Sequence, residues 1–194
     1  MRIIGGAFGS RRLKTPAGPD TRPTMDATRE SLFNILGAQT QGARVLDLFA
    51  GSGALGLEAL SRGAASAVFV DASPAAVKAV TQNIASLAVQ SQCQVLHMSW
   101  NPALGRLRRA GVPFDLVFLD PPYDLAASPV LAALAQPGVL AENATVLLER
   151  DKRTTPDFPP ELSCVRTKAY GDTRVDFLTY QGGQHGHSDL PGQL

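Results

Sequence analysis

The tetrapeptide Asp120-Pro121-Pro122-Tyr123 combines residue types that can hold the exocyclic amino group of a nucleobase. The Asp120 carboxylate and the Pro121 carbonyl are acceptors, the prolines stiffen the loop, and the Tyr123 ring can stack on an extruded base. Such an amine is a poor nucleophile, because its lone pair is delocalised into the ring, so a site that modifies it must grip and orient it. The alternative is a proline-rich turn that ends a strand and leaves its tyrosine on the surface.

A second pattern, Gly51-Ser52-Gly53-Ala54-Leu55-Gly56, matches the G-x-G-x-x-G fingerprint of nucleotide-binding loops. It follows an apolar strand and precedes a helix, and Asp71 ends the next strand twenty residues after Gly51. Gly51 and Gly53 allow a tight turn and a close approach of the backbone to a ligand, and an acid such as Asp71 can bind both hydroxyls of a ribose. The pattern by itself fits any nucleoside cofactor, a dinucleotide included.

Asp47 distinguishes between these cofactors. A carboxylate beside a pyrophosphate is unfavourable, because that anion needs backbone N–H groups and the positive end of a helix. A ligand that carries an ammonium and a sulfonium has the opposite preference, and S-adenosylmethionine is such a ligand. The spacing Asp47-x-Phe49-x-Gly51-x-Gly53 resembles the first motif of Rossmann-like methyltransferases. In the alternative interpretation, Asp47 only accepts backbone hydrogen bonds within the loop.

Short apolar runs alternate with helix-length segments whose apolar residues recur every three or four positions, which is a βαβα pattern. Strands are predicted at 44–49, 67–71, 94–98, 114–120 and 144–150, and helices at 54–62, 74–88, 102–110 and 129–135. Because the strands are nearly continuous apolar runs, we expect a parallel sheet covered by helices on both faces. Residues 161–171 and 173–181 are expected to form an antiparallel pair at one edge of that sheet.

Four blocks in a fixed order, residues 2–16, 21–36, 45–64 and 114–124, resemble the bacterial 16S ribosomal RNA (guanine-N2)-methyltransferase family of the RsmD type. The resemblance implies an α/β, class I S-adenosylmethionine-dependent methyltransferase. Its Rossmann-like sheet would be mostly parallel and seven-stranded, with an antiparallel C-terminal edge. The implied activity is methyl transfer from S-adenosylmethionine to N2 of a guanine in 16S ribosomal RNA, within an assembling small ribosomal subunit in the cytoplasm.

On this interpretation, the cofactor pocket comprises Asp47, Phe49, Gly51, Gly53, Asp71, Ser99 and Trp100, and the target amine is held by Asp120, Pro121, Pro122 and Tyr123. The sequence departs from the family after the third strand, where such enzymes often place Asp or Asn to bind the adenine amino group. This chain offers Ser99 or the backbone instead. Trp100 is expected either to stack on the adenine or to fill the core as a partly buried indole.

The N-terminal segment is basic. Residues 1–22 contain five basic residues and one acid, although the whole chain has a net charge of only +1. Arg11, Arg12, Lys14 and Arg22 are candidates for phosphate contacts with ribosomal RNA, while a short charge run is equally typical of a solvated face.

Composition limits the class of protein. With 194 residues, of which 44% are hydrophobic and 18% charged, the chain can bury one core, which excludes a disordered, fibrous or uniformly basic protein. We expect a basic extension and helix over 1–40, with Thr24 or Asp26 as the helix cap, a methyltransferase domain over 41–181 and a flexible tail over 182–194. Two cysteines favour a reducing compartment, and no signal peptide, membrane span or metal site is expected.

Three other functions stay open at this point. The D-P-P-Y motif also fits methylation of adenine N6 or cytosine N4 in DNA or RNA. The G-S-G-A-L-G run fits an NAD-dependent oxidoreductase, although a catalytic His or a Tyr-x-x-x-Lys pattern is not evident. The fourth function is a non-catalytic RNA-binding module.

Overall fold

The computed structural model describes residues 1–16 and 23–182, with the backbone alone for residues 23–25. Arg22 and nearly all of the predicted flexible tail therefore lie outside the described residues. In the described part, the helices are α1 (Pro23–Leu36), α2 (Ala54–Ser61), α3 (Pro74–Leu87), α4 (Trp100–Ala110) and α5 (Ala127–Leu134). The strands are β1 (Arg44–Leu48), β2 (Ser66–Asp71), β3 (Cys93–His97), β4 (Phe114–Leu119), β5 (Leu140–Asp151), β6 (Leu162–Tyr170) and β7 (Thr173–Tyr180).

The sheet confirms the predicted fold class. Its seven strands are ordered β3-β2-β1-β4-β5-β7-β6. The pairs from β3 to β5 are parallel, and β7 pairs antiparallel with both β5 and β6. Because the chain continues from β1 towards β3 on one side and returns to β4 on the other, a crevice opens at the carboxyl ends of β1 and β4.

Two apolar layers cover the sheet, as the continuous apolar strands predict. One layer contains α1, α2 and α3, and there Phe33 of α1 packs on Phe118 of β4 with ring centroids 5.7 Å apart. The other layer contains α4 and α5, with Leu104 and Leu131 fully buried against the opposite face. Because apolar side chains cover both faces of the sheet, packing on the two faces fixes the positions of the strand ends.

Several element bounds differ from the prediction. β5 begins at Leu140, well before residue 144, because a bulge between Phe114 and Leu116 lets Leu140 pair with Phe114. β4 ends at Leu119, so Asp120 lies in the loop that follows the strand. α5 begins at Ala127 and places Pro129 in its first turn, where a missing N–H breaks no helical hydrogen bond.

The first residues form a small hairpin, which we call the N-terminal hairpin (residues 1–14). Its two arms meet at an Arg2–Arg12 bridge, and the Ile3 N–H donates to the Arg11 carbonyl at 3.0 Å. Ile3 and Leu13 are buried in the same core layer as α1 and α2. The hairpin is therefore packed on the same face of the sheet as α1 and α2.

The predicted helix cap is wrong. α1 begins at Pro23, so Thr24 and Asp26 both lie inside its first turn. The Asp26 carboxylate accepts from Arg2 Nε at 2.9 Å and from Arg29 Nη2 at 2.7 Å. The Asp26 carboxylate is therefore held by two guanidinium groups, and it connects the N-terminal hairpin to α1. No helix in the described ranges is long and apolar enough to cross a membrane.

Candidate active site and cofactor cleft

Two cavities adjoin the carboxyl edge of the sheet. The glycine-loop cavity, about 410 Å³, is bounded by the residues after β1, by α1 and by Met1. The proline-loop cavity, about 730 Å³, is bounded by residues 120–128 and by the end of β5. Asp120, Glu149 and Thr173 line both cavities. A ligand in one cavity would therefore meet a ligand in the other at these three residues.

The glycine loop leaves β1 through a strained residue. Phe49 has a φ of +78°, which is unfavourable for a bulky side chain, and its N–H and that of Ala50 both donate to the Val70 carbonyl at 3.0 Å. Gly51, with a φ of +56°, faces open space on the cavity wall. Gly53 does not line the cavity, and a Cβ there would lie 2.5 Å from Val80 Cγ2. Gly51 thus permits a close ligand, while Gly53 serves the turn and its packing.

Asp47 is buried beneath the glycine loop and is only 3% exposed. Its carboxylate accepts one hydrogen bond, from the Gly56 N–H at 3.0 Å. Burial raises the pKa of Asp47 to about 7, against that hydrogen bond, and the charges of Asp120 and Asp71 raise it further. The backbone-bonding alternative for Asp47 is therefore present, but one bond does not compensate the buried charge. A cation bound in the cavity would compensate this charge.

Asp71 holds the glycine loop in place. Its two carboxylate oxygens accept from the Gly51 N–H and the Ser73 N–H, each at 2.8 Å. Each oxygen keeps a further lone pair for a hydroxyl of a ligand. Ser99 is exposed, and the half-buried Trp100 starts α4 and packs on the core layer of α4 and α5. Neither of these two residues lines the glycine-loop cavity.

The proline loop presents its groups outward. Tyr123 is 93% exposed, so its ring is free to stack on a base. The loop is closed by a hydrogen bond of 2.9 Å from the Leu125 N–H to the Pro122 carbonyl. Asp120 reaches solvent through the cleft. Desolvation of its carboxylate by the cleft walls raises its pKa to about 6. At neutral pH this carboxylate is mostly ionised and can accept hydrogen bonds.

The sequence analysis missed Glu149. It lies near the end of β5, lines both cavities, and has a pKa of about 7, raised first by burial and then by the charge of Asp120. The available signal was an acid at the carboxyl end of an apolar strand, next in register to the D-P-P-Y motif.

Arg29 was missed as well. This α1 residue is 6% exposed and borders the glycine-loop cavity. Its Nη2 donates to the Arg2 carbonyl at 2.8 Å and to Asp26, while its Nε has no hydrogen-bond partner among the described residues. The α-helical periodicity alone placed Arg29 on α1 but gave no reason for its burial.

The predicted RNA-binding residues lie beside the glycine loop. Arg11, Arg12 and Lys14 are exposed on the N-terminal hairpin, and Arg22 falls outside the described residues. Buried Asn83 connects this hairpin to the loop. Its Nδ2 donates to the Lys14 carbonyl at 2.8 Å and to the Ser52 carbonyl at 2.9 Å, and its Oδ1 accepts from the Lys14 N–H at 2.8 Å.

The glycine-loop cavity fits S-adenosylmethionine. Asp47 suits its positive charges, the Nε of Arg29, which has no partner among the described residues, suits its carboxylate, and open space at Gly51 admits a nucleoside. Among the described residues no group of His, Cys, Asp and Glu is arranged to hold a metal ion. The sheet order and this cleft are those of the class I, S-adenosylmethionine-dependent methyltransferases.

Comparison with known proteins specifies the family. The sequence model for "Conserved hypothetical protein 95" matches residues 1–179, and the chain belongs to this family. Bacillus subtilis YlbH is 37% identical over 184 residues, which cover 94% of this chain and 100% of that protein. Escherichia coli "Ribosomal RNA small subunit methyltransferase D" is 37% identical over 191 residues, 97% and 93% of the two chains. The solved Escherichia coli yhhF structure superposes with a TM-score of 0.82 at 34% identity, covering 94% of this chain and 99% of that one.

Proposed function

We propose that this protein transfers a methyl group from S-adenosylmethionine to the exocyclic N2 of a guanine in 16S ribosomal RNA, within an assembling small ribosomal subunit in the cytoplasm. The observation that carries the proposal is the meeting of the two cavities at Asp120, the first residue of the D-P-P-Y motif. The name of the Escherichia coli relative supports ribosomal RNA as the substrate.

The cofactor side is assigned to the loop after β1 and its neighbours. Asp47 offers charge to the methionine end, Phe49 and Gly51 form the wall, Gly53 makes the turn, and Asp71 binds the ribose hydroxyls. Ser99 and Trp100, at the start of α4, are assigned to the adenine, whose end of the cofactor would then extend beyond the glycine-loop cavity. When bound, S-adenosylmethionine supplies an electrophilic methyl group.

The acceptor side is assigned to the proline loop. Asp120 and the Pro121 carbonyl accept the two N–H bonds of the amine, which directs its lone pair towards the shared boundary of the cavities. Pro121 and Pro122 restrict the loop, and the exposed Tyr123 ring stacks on the extruded base. As the N–C bond forms and the bond between sulfur and the methyl carbon breaks to leave a neutral thioether, the amine becomes a strong acid, and the Asp120 carboxylate would take its proton.

The basic hairpin is assigned to the RNA backbone. Arg11, Arg12 and Lys14 are exposed where phosphates can reach them, and Arg22 joins them in this assignment. The proposed organisation keeps a basic extension over 1–40, a methyltransferase domain over 41–181 and a tail over 182–194, with the extension sharing the core of the domain. An NAD-dependent oxidoreductase is disfavoured, because Asp47, Asp120 and Glu149 line the glycine-loop cavity and would repel a pyrophosphate there.

The test supplies labelled S-adenosylmethionine with unmodified small subunits, naked ribosomal RNA and duplex DNA in parallel, followed by digestion to nucleosides. We expect label in N2-methylguanosine from small subunits. Label in N6-methyladenine or N4-methylcytosine would assign the other target bases, and RNA binding without label would identify a binding module. Either result would refute the proposal.

The variant that tests the proposed role of Asp120 is Asp120→Asn. We expect turnover to fall at least about 1,000-fold, because the neutral amide is a weaker acceptor for the amine and cannot take its proton, while S-adenosylmethionine binding by calorimetry stays detectable. Asp157→Asn, at an exposed acid outside both cavities, should behave as wild type. Full turnover by Asp120→Asn would remove Asp120 from the mechanism.

A further inference from the structure

Glu149 lies beside Asp120 by the register of the sheet. Leu119 of β4 pairs with Leu148 of β5 in the parallel ladder, so the residues that follow this pair are Asp120 on one chain segment and Glu149 on the other. Glu149 follows Leu148 in the alternation of β5 and faces the layer that contains α1, and Asp120 in the loop after β4 borders the same cavity. Both line the glycine-loop cavity and the proline-loop cavity.

No described residue is a hydrogen-bond partner of the Glu149 carboxylate. None of the described residues donates a hydrogen bond to it or to the Asp120 side chain, whereas Asp71 accepts two such bonds. The neighbouring cations have other partners: Arg150 donates to Asp176, and Arg153 pairs with Asp151 at 2.8 Å. Arg29, which borders the glycine-loop cavity, donates to Asp26 and to the Arg2 carbonyl. A half-buried acid that has no partner and faces a cavity is an acceptor available to a ligand.

The chemistry of the bases indicates which ligand this is. In guanine the exocyclic amine adjoins the ring N1–H, so two donor groups stand side by side. In adenine and cytosine the ring nitrogen next to the amine is an acceptor. Two adjacent carboxylates therefore complement the guanine edge, and the second one repels the lone pair of the other two bases.

We propose that Glu149 accepts the N1–H of the target guanine while Asp120 holds its N2 amine, so that Glu149 sets the base specificity of the enzyme. This rests on the proposed function and decides a question that the D-P-P-Y motif leaves open, namely which exocyclic amine is methylated. A site built to bond a donor rejects an analogue without it, because the acceptor is then left unpaired in the closed complex.

The test compares the full-length wild type with Glu149→Gln on unmodified small subunits. The Gln side chain keeps the size of Glu but loses its charge. We expect kcat/KM for N2-methylguanosine formation to fall about 100-fold, with the Kd for S-adenosylmethionine within about threefold of wild type. Glu149→Asp, which keeps a carboxylate, should recover at least about a tenth of the wild-type rate. Glu142→Gln, exposed on the same strand and outside both cavities, should match wild type.

A second measurement uses the wild type alone and does not depend on the folding of a variant. Guanosine monophosphate and 2-aminopurine riboside monophosphate carry the same C2 amine, but only guanine has an N1–H. We expect guanosine monophosphate to inhibit methyl transfer at about tenfold lower concentration. Equal inhibition would overturn the role of Glu149.

The outcomes separate this inference from the proposed function. If wild type does not label small-subunit guanine, the proposed function fails. If wild type does so and Glu149→Gln keeps activity within about threefold, only the role of Glu149 fails. An equal loss of S-adenosylmethionine affinity and activity in Glu149→Gln would make Glu149 a cofactor ligand, and this too would overturn the proposal.

Discussion

Carboxylates concentrate at the carboxyl ends of β1, β4 and β5, where Asp47 is buried, Glu149 is half-buried and Asp120 is exposed in the cleft. Burial raises the pKa of Asp47 from its ordinary value of 3.8 to about 7 and that of Glu149 from 4.5 to about 7. A group whose pKa rises on folding disfavours the native state when it is ionised. These residues are therefore poor choices for stability, and acids whose pKa burial raises in this way are typical of catalytic and ligand-binding sites.

Asp47→Asn should stabilise the protein and impair cofactor binding. The native state binds a proton at Asp47 more tightly than the unfolded chain does, so stability falls as pH rises from about 4 to about 7. At pH 8 we expect the substitution to remove this penalty and increase the free energy of unfolding by about 2 kcal/mol. Urea denaturation at pH 5 and pH 8 measures the effect, and calorimetry measures the weakened binding of S-adenosylmethionine.

Asp157→Asn serves as the control for both measurements, since this exposed acid lies outside the cleft. An unchanged dependence of stability on pH in Asp47→Asn would show that Asp47 does not carry the buried charge.

At the scale of elements, the N-terminal hairpin is held by buried polar residues of α2 and α3. Glu58 is fully buried and accepts from the Ile4 N–H at 2.7 Å and the Gly5 N–H at 2.9 Å. Arg62 donates to the same carboxylate at 2.7 Å and neutralises it. Together with Asn83, the hydrogen bonds of Glu58 hold the basic hairpin against the glycine loop. The same contacts that order the RNA-facing arm therefore also support the cofactor pocket.

Asn83→Ala should loosen the hairpin and the glycine loop together. It removes three hydrogen bonds and leaves the backbone groups of Lys14 and Ser52 without partners, so we expect a loss of about 3 kcal/mol of stability. Thermal denaturation with and without S-adenosylmethionine measures this loss and a reduced stabilisation by the ligand. The control is Thr81→Ala, at an exposed residue of the same helix. Equal Tm values for the two variants would contradict the role of Asn83 in joining the hairpin to the glycine loop.

The elements themselves follow well from the sequence, because apolar periodicity and glycine positions are local signals. The glycine loop, the strand before the D-P-P-Y motif and the C-terminal antiparallel pair all occur where they were predicted. The helix cap at Thr24 or Asp26 failed, because Asp26 is drawn to Arg2 from a distant part of the chain. Residue pairs of that kind leave no periodic signal.

At the scale of the molecule, charge is distributed between two layers. The exposed Arg11, Arg12 and Lys14 lie on the layer of α1 and α2, beside the cleft, while Arg106 and Arg109 are exposed on α4 in the opposite layer. With a net charge of only +1, the chain has little general attraction for nucleic acid. Affinity for RNA should then depend on where the basic residues are placed.

The double variant Arg12→Ala and Lys14→Ala should weaken binding to a ribosomal RNA fragment about tenfold and lower the dependence of log Kd on log salt by about two units. S-adenosylmethionine binding should be unchanged. Fluorescence anisotropy at about 50 to 200 mM KCl measures both quantities. The matched control is the double variant Arg106→Ala and Arg109→Ala. Equal losses in the two double variants would indicate a nonspecific charge effect and not a hairpin contact.

The sequence by itself determined the α/β class, the glycine loop, the acid of β2 and the D-P-P-Y motif, because these are encoded by neighbouring residues in the chain. The tertiary structure alone decided that Glu149 stands next to Asp120, that Arg29 is buried at the cleft, and that Asn83 joins the hairpin to the glycine loop. It also decided that Ser99 and Trp100 lie off the glycine-loop cavity. The physical reason is that strand register and helix packing bring together residues far apart in the chain, and local patterns do not encode those distances.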